Sequence, residues 1–259
     1  MAGTLTDRVA LILEYDGTEY SGWQYQINAD TVQAQVEKAL YGLFGQEIRV
    51  MGASRTDSGV HARGQVAALN LPRPFPRHKL AAALNWRLPA DIRVLEAYPV
   101  PRDFNPRTWA KGKIYRYFIY NRNPQPALAS HYYWSLPYNL DTAAMNSGAR
   151  HLIGCHDFSS FQAAGSPVED TRRTIRHLFC WRRGNLVTIT CVGDGFLYNM
   201  VRIIVGSLVE IGLGRQEPQW ARQALEARNR DAAGPTAPAQ GLFLERVLYR
   251  PSLDSYRRL

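Results

Sequence analysis

Along this chain the apolar period switches between two and 3.6 residues in a fixed order, twice over. That order limits the possible folds more than any other feature. RVALILEYDG (8–17) reads as a strand ending in Asp-Gly. Asp30-Thr31-Val32-Gln33 predicts a capping box with Asp30 as N-cap and Gln33 three residues on. Val32, Val36, Leu40, Leu43 and Phe44 then share one helical face, and Gly45 ends the helix. EIRVMGA (47–53) and GQVAALN (64–70) read as strands. PRHKLAAALNWRL (76–88) reads as a second helix with Pro76 in its first turn, and IRVLEAYPV (92–100) as a strand. The order is β-α-β-β-α-β, the ferredoxin-like unit.

The second half repeats it. KIYRYFIYN (113–121) is a strand and LDTAAMNSGARHLIG (140–154) a helix. TIRHLFCWRR (174–183) and NLVTITCVGDG (185–195) form a hairpin around Gly184-Asn185. GFLYNMVRIIVGSLVEIGLG (195–214) is a long helix, PQWARQALEARNR (218–230) a short polar one, and LFLERVLY (242–249) a closing strand. VPRDFNPRTW (100–109) reads as a linker and AAGPTAPAQG (232–241) as a flexible loop. The expectation is therefore an α+β protein of two ferredoxin-like halves, 1–104 and 105–259. Each has a mainly antiparallel sheet flanked by helices, with a cleft between the halves.

Composition narrows the function. No apolar stretch approaches a membrane span, and the start MAGTLTDRVALIL lacks the features of a signal peptide. Cys155, Cys180 and Cys191 are far apart and odd in number, so a cytoplasmic, reducing setting is expected rather than a disulfide framework. The formal net charge of +9 is unevenly spread. Residues 1–104 carry 11 basic and 11 acidic side chains, residues 105–183 carry 11 against 4, and the remainder 9 against 7. TRRTIRHLFCWRR (171–183) is the densest run. Arginine interleaved with aromatic residues suits a polyanion such as RNA; a solvated basic face is the plainer alternative.

Neither GxGxxG, GxxxxGK[ST] nor HExxH occurs, so dinucleotide and P-loop cofactors are unsupported, and His151 and His156 do not share a helical face, so they are not expected to form a metal pair. What stands out is SRTDSGVHA (54–62), where Asp57 lies among Arg55, Thr56, Ser58, Gly59 and His61. It reads either as a hairpin tip with Gly59 at positive φ or as a catalytic carboxylate held on a rigid turn. Arg202 sits in an apolar helix as a buried guanidinium that calls for an anion, or as one that snorkels to solvent; Tyr198 is expected one turn before it on the same face. Strand alternation places Tyr115 and Tyr117 on one face and Arg116 and Phe118 on the other, so a tyrosine can stack on a base or pack in the core.

LEYDGTEYSGWQ (13–24), SRTDSGVHARGQV (54–66), KIYRYFIYN (113–121), GDGFLYNMVRIIVG (193–206) and APAQGLFLERVLY (237–249) together resemble the bacterial tRNA pseudouridine synthase A family, almost end to end and in order. Tyr198 stands where that family often has histidine. The resemblance implies conversion of uridine to pseudouridine at positions 38, 39 and 40 of the tRNA anticodon stem-loop, without cofactor or metal, by a homodimer whose RNA lies across both subunits. It places the catalytic aspartate at Asp57, the active-site tyrosine at Tyr115, the basic partner of the aspartate at Arg202 and the residue holding the flipped nucleotide at Arg55. In such a reaction a carboxylate acts as a nucleophile, toward C1′ or the pyrimidine ring, or as a base. Two rivals are weighed against it. A glycoside hydrolase would take Asp16 or Asp194 as its second carboxylate but leaves the basic field unexplained. A catalytically inert RNA-binding module leaves Asp57 and Arg202 unexplained.

Overall fold

A computed structural model describes residues 8–165 and 168–256. The first seven residues, read above for a signal peptide, and the last three of the second expected half lie outside the described residues. The protein is of mixed α+β class with mostly antiparallel strand pairing and five α-helices among the described residues. None of those helices is long and apolar enough to cross a membrane. Packing groups the chain into two units. One is the chain up to Lys111 together with the residues from Leu244 on; the other is Gly112–Phe243.

In the first unit β1 (Arg8–Tyr15) is followed by α1 (Val32–Phe44), β2 (Met51–Gly52), β3 (His61–Asn70), α2 (Arg77–Asn85) and β4 (Ile92–Pro99). β1 pairs antiparallel with both β3 and β4, and its Val9, Ala10, Leu11 and Leu13 are buried because it is central. The N-cap of α1 is Thr31 rather than the expected Asp30: its hydroxyl accepts the Ala34 N–H at 3.3 Å. No capping box forms, because the Gln33 amide is used inward and donates to Glu37 Oε1 and to the Val50 carbonyl. Gly45 ends the helix at φ +75°, as read. The same inward bonds shorten the strand expected over 47–53. Val50 donates its N–H to Glu37 and accepts from Gln33, so only Met51 and Gly52 join the ladder beside Ala68 and Ala67. α2 stops at Asn85, whose side chain instead holds both backbone groups of Val94 on β4.

The second unit contains β5 (Gly112–Tyr120), β6 (Trp134–Ser135), α3 (Thr142–Arg150), β7 (Gly154–Asp157), β8 (Arg172–Arg183), β9 (Leu186–Gly193), α4 (Met200–Gly212) and α5 (Trp220–Ala227). Its strands run in the order β5-β9-β8-β7, and a short parallel pairing joins β6 to β5. The β8–β9 hairpin turns at Gly184 as read, with φ +59° there. β6 and β7 are strands that the sequence pattern does not mark. Gly154, read as a helix stop, adopts φ +123° and opens β7. α3 packs against β8 and α4, and its Asn146 amide holds both backbone groups of Cys180. α4 starts later than the sequence suggests. Asn199 precedes it in the left-handed region at φ +58°, so Tyr198 lies outside the helix and is exposed.

The final strand, β10 (Leu242–Leu248), lies beside β3 over the residues it contributes to the first unit. There a Cβ on Gly64 would fall 2.5 Å from the Glu245 carbonyl oxygen, so glycine permits the approach. Arg63 and Glu245 pair at 2.9 Å.

Candidate active site

Asp57 is half-buried on the connection between β2 and β3. Val60 N–H closes the turn on the Asp57 carbonyl at 3.1 Å, and Gly59 takes φ +74°, as the motif implies. The loop is tied from several directions. Upstream, the buried Gln65 side chain behaves like a neighbouring strand: Oε1 accepts Ser54 N–H at 3.1 Å and Nε2 donates to Ser54 O at 2.7 Å. At the centre, Thr56 O accepts Trp23 N–H, and the Thr56 and Tyr15 hydroxyls meet at 2.7 Å. Downstream, Gly59 N–H and the Ser58 hydroxyl both donate to the Tyr20 carbonyl.

Most of these partners come from LEYDGTEYSGWQ, and its glycines explain why the two motifs act as one device. A Cβ on Gly17 would fall 2.1 Å from Val60 O, and one on Gly22, at φ +87°, 2.5 Å from Thr56 O. Backbone therefore packs directly on backbone beneath Asp57. His61 is buried behind the turn. Its Nδ1 lies 3.0 Å from Gly17 N and 3.1 Å from Asp16 Oδ1, and one nitrogen serves only one of them at a time. Asp16 thus belongs to the support of the loop, while Asp194, the other acid weighed, accepts Thr174 N–H in the second unit.

Arg55 is exposed, and its Nε donates to Gln24 Oε1 at 3.0 Å. Partial burial and then the charge of Arg55 lower the pKa of Arg107, a residue the sequence did not single out.

In the second unit, Tyr115 is buried on β5 opposite Cys191, with its ring edge-on to Phe196 at 5.2 Å. Tyr117, on the same strand face, is fully buried and donates its hydroxyl to Pro238 O at 2.7 Å. Burial raises its pKa, which Arg202 partly opposes. Arg202 is half-buried rather than buried. Its Nε donates to Ala237 O at 2.7 Å and its NH1 to Asn199 Oδ1 at 2.8 Å. The expected flexible loop 232–241 is instead strapped onto α4. Ala237 N–H donates to Arg202 O, Gly234 N–H to the Ser207 hydroxyl, and a Cβ on Gly206 would fall 1.8 Å from Pro235 O. Asn199, which the sequence did not single out, is thus a side-chain partner of Arg202. An asparagine before an apolar run signals a cap, but here its side chain serves Arg202, and its left-handed backbone suits that residue type.

Among the described residues, no group of three His, Cys, Asp or Glu side chains is placed to hold a metal ion. Burial pushes the Cys180 thiol up to about 12 and that of Cys191 higher still, so neither is a nucleophile near neutral pH.

SRTDSGVHA thus presents a half-buried carboxylate on a braced turn, preceded by an exposed arginine and followed by a buried histidine. Residues 11–107 and 149–250 match the family described as tRNA pseudouridine synthase. The chain belongs to this family of enzymes, which isomerise uridine to pseudouridine. It is similar to the tRNA pseudouridine synthase A of Acetivibrio thermocellus, 47% identical over 241 residues that cover 93% of this chain and 99% of the relative. The tRNA pseudouridine synthase A of Moorella thermoacetica is 48% identical over 92% of this chain and 98% of its own. That of Myxococcus xanthus is 44% identical over 94% and 92%.

Proposed function

We propose that this enzyme isomerises uridine to pseudouridine at positions 38, 39 and 40 in the anticodon stem-loop of tRNA, with Asp57 as its nucleophile or base and without a cofactor. The observation that carries this is the Asp57 turn, fixed by backbone contacts through Gly17 and Gly22, in a chain similar over nine-tenths of its length to tRNA pseudouridine synthases A. The isomerisation breaks the N1–C1′ bond, turns the uracil and joins C5 to C1′, with loss of the C5 proton. A carboxylate held on a rigid turn supplies either covalent capture or proton abstraction without reorganising.

Arg202 is the proposed cation that keeps Asp57 ionised, since a nearby positive charge lowers a carboxylate pKa. Tyr115 stacks on the uracil and serves the C5 proton removal. Arg55 braces the space that the target nucleotide vacates when it leaves the helical stack. We assign Asp57 to an N-terminal ferredoxin-like half, 1–104, and Tyr115, the basic region and Arg202 to a second, 105–259. The order β4-β1-β3, with β2 on β3, supports that reading of the first. The enzyme is proposed to act in the cytoplasm as a homodimer. Pseudouridine mapping of an unmodified tRNA transcript after incubation with the protein tests the proposal. New pseudouridine confined to positions 38–40 supports it; none, or pseudouridine elsewhere, refutes it.

A further inference from the structure

Beneath the Asp57 turn the hydrogen bonds form a closed circuit. Gly17 N–H donates to His61 Nδ1 at 3.0 Å, and Tyr20 N–H donates to the Gly17 carbonyl at 3.1 Å. The Tyr20 carbonyl in turn accepts Gly59 N–H and the Ser58 hydroxyl, each at 3.2 Å. Gly59 and His61 are two residues apart on the same loop, so the circuit leaves through the Gly17–Tyr20 turn and returns to its start. The link at His61 is made by a side chain, which a substitution can remove while the backbone links stay. His61 opens β3 and is wholly buried, and Gly17 is buried too, so water does not stand in for that bond.

Two neighbours compete for His61 Nδ1. Asp16 Oδ1, 3.1 Å away, calls for a hydrogen on that nitrogen, whereas Gly17 N–H calls for a lone pair. The surroundings decide between them. Asp16 Oδ1 already accepts Thr18 N–H at 3.0 Å and the Thr18 hydroxyl at 2.5 Å. Gly17 N–H has His61 as its single acceptor among the described residues. Leaving a buried backbone N–H unpaired costs more than denying a third donor to a partly exposed carboxylate oxygen. We propose that His61, neutral and with its hydrogen on Nε2, is a positioning residue for Asp57. Its Nδ1 lone pair holds Gly17 against the Val60 carbonyl, where no Cβ would fit, and Val60 N–H is the group that closes the turn on the Asp57 carbonyl. This role rests on the reading of Asp57 as the reacting carboxylate, and adds the residue and the tautomer that keep it in place.

The test measures single-turnover tritium release from C5-labelled tRNA transcript at saturating enzyme, beside a tRNA binding titration, for the full chain and its His61 variants. Asparagine carries its amide oxygen near the place of Nδ1, glutamine near that of Nε2, and leucine fills the volume with no acceptor at all. His61→Gln and His61→Leu should slow release at least about tenfold while affinity stays within about threefold, because a misplaced carboxylate loses rate rather than binding. His61→Asn should return the rate to within about threefold of wild type. A wild-type rate in His61→Leu overturns the proposal, as does a His61→Asn enzyme as slow as His61→Gln, or a loss of affinity that matches the loss of rate. The tautomer is read on the wild type near neutral pH, from two-bond proton–nitrogen correlations of isotope-labelled histidine, with the His61 signal identified by its absence from the asparagine variant. A lone pair on Nδ1 is expected; a hydrogen there overturns the proposal however well the variants fold. Asp57→Asn is run in parallel. If it releases tritium, the reading of Asp57 fails; if it is inert while His61→Gln and His61→Leu keep the wild-type rate, the role of His61 alone fails.

Discussion

At Gly22 an alanine meets two obstacles, a φ of +87° and a Cβ that would fall 2.5 Å from Thr56 O. Gly22→Ala should destabilise the protein by about 1–3 kcal/mol, read from denaturant midpoints, and should cut activity because Thr56 adjoins Asp57. An alanine variant with wild-type midpoint and turnover would show that the loop tolerates displacement. Tyr115→Phe keeps the ring and should hold tRNA affinity near wild type while slowing product formation. Wild-type turnover in that variant would reduce Tyr115 to a platform. The turn at Asp57 was legible from the motif, because Gly59 has a local reason to be there. Its supports were not. Gln65, Tyr15 and Tyr20 reach the loop only through long-range pairing, which neither period nor spacing reveals. Arg202 was legible as a charge in an apolar helix, but its partners Asn199 and Ala237 depend on how the loop 232–241 folds back.

Among the elements, those with a strong period and local signals were readable: β1, the start of α1 to within one residue, and the β8–β9 hairpin. Elements defined by who claims the backbone were not. β2 is short because α1 side chains take the Val50 groups, and β7 begins at a glycine that reads as a stop. β7 also carries a testable electrostatic feature. The Asp157 pKa is lowered first by the Thr171 hydroxyl, with help from Ser159 and Arg228, against the opposing effect of burial. A carboxylate whose folded pKa lies below its unfolded one stabilises the fold above the unfolded value, near 4, and loses that contribution as pH falls through the folded value. Asp157→Asn should therefore flatten the decline in stability below about pH 4, measured by urea midpoints across pH 3–6. An unchanged acid limb would show that Asp157 is not a contributor.

For the whole molecule, the charge asymmetry predicts where RNA binds. Reversing Arg172 and Arg173 to Glu should weaken tRNA binding and flatten its salt slope more than reversing Arg49 and Arg87, two exposed arginines of the neutral half. Equal effects from the two double variants would show that net charge alone, not its distribution, drives binding. The assignment of Asp57 is tested most directly by tritium release from C5-labelled uridine in a tRNA transcript, run for wild type and Asp57→Asn beside a binding titration. The wild type should release tritium and the variant none above background, with affinities within about threefold of one another, because an amide can neither attack nor abstract yet fills the same space on the same braced turn. Substantial tritium release by Asp57→Asn would contradict it.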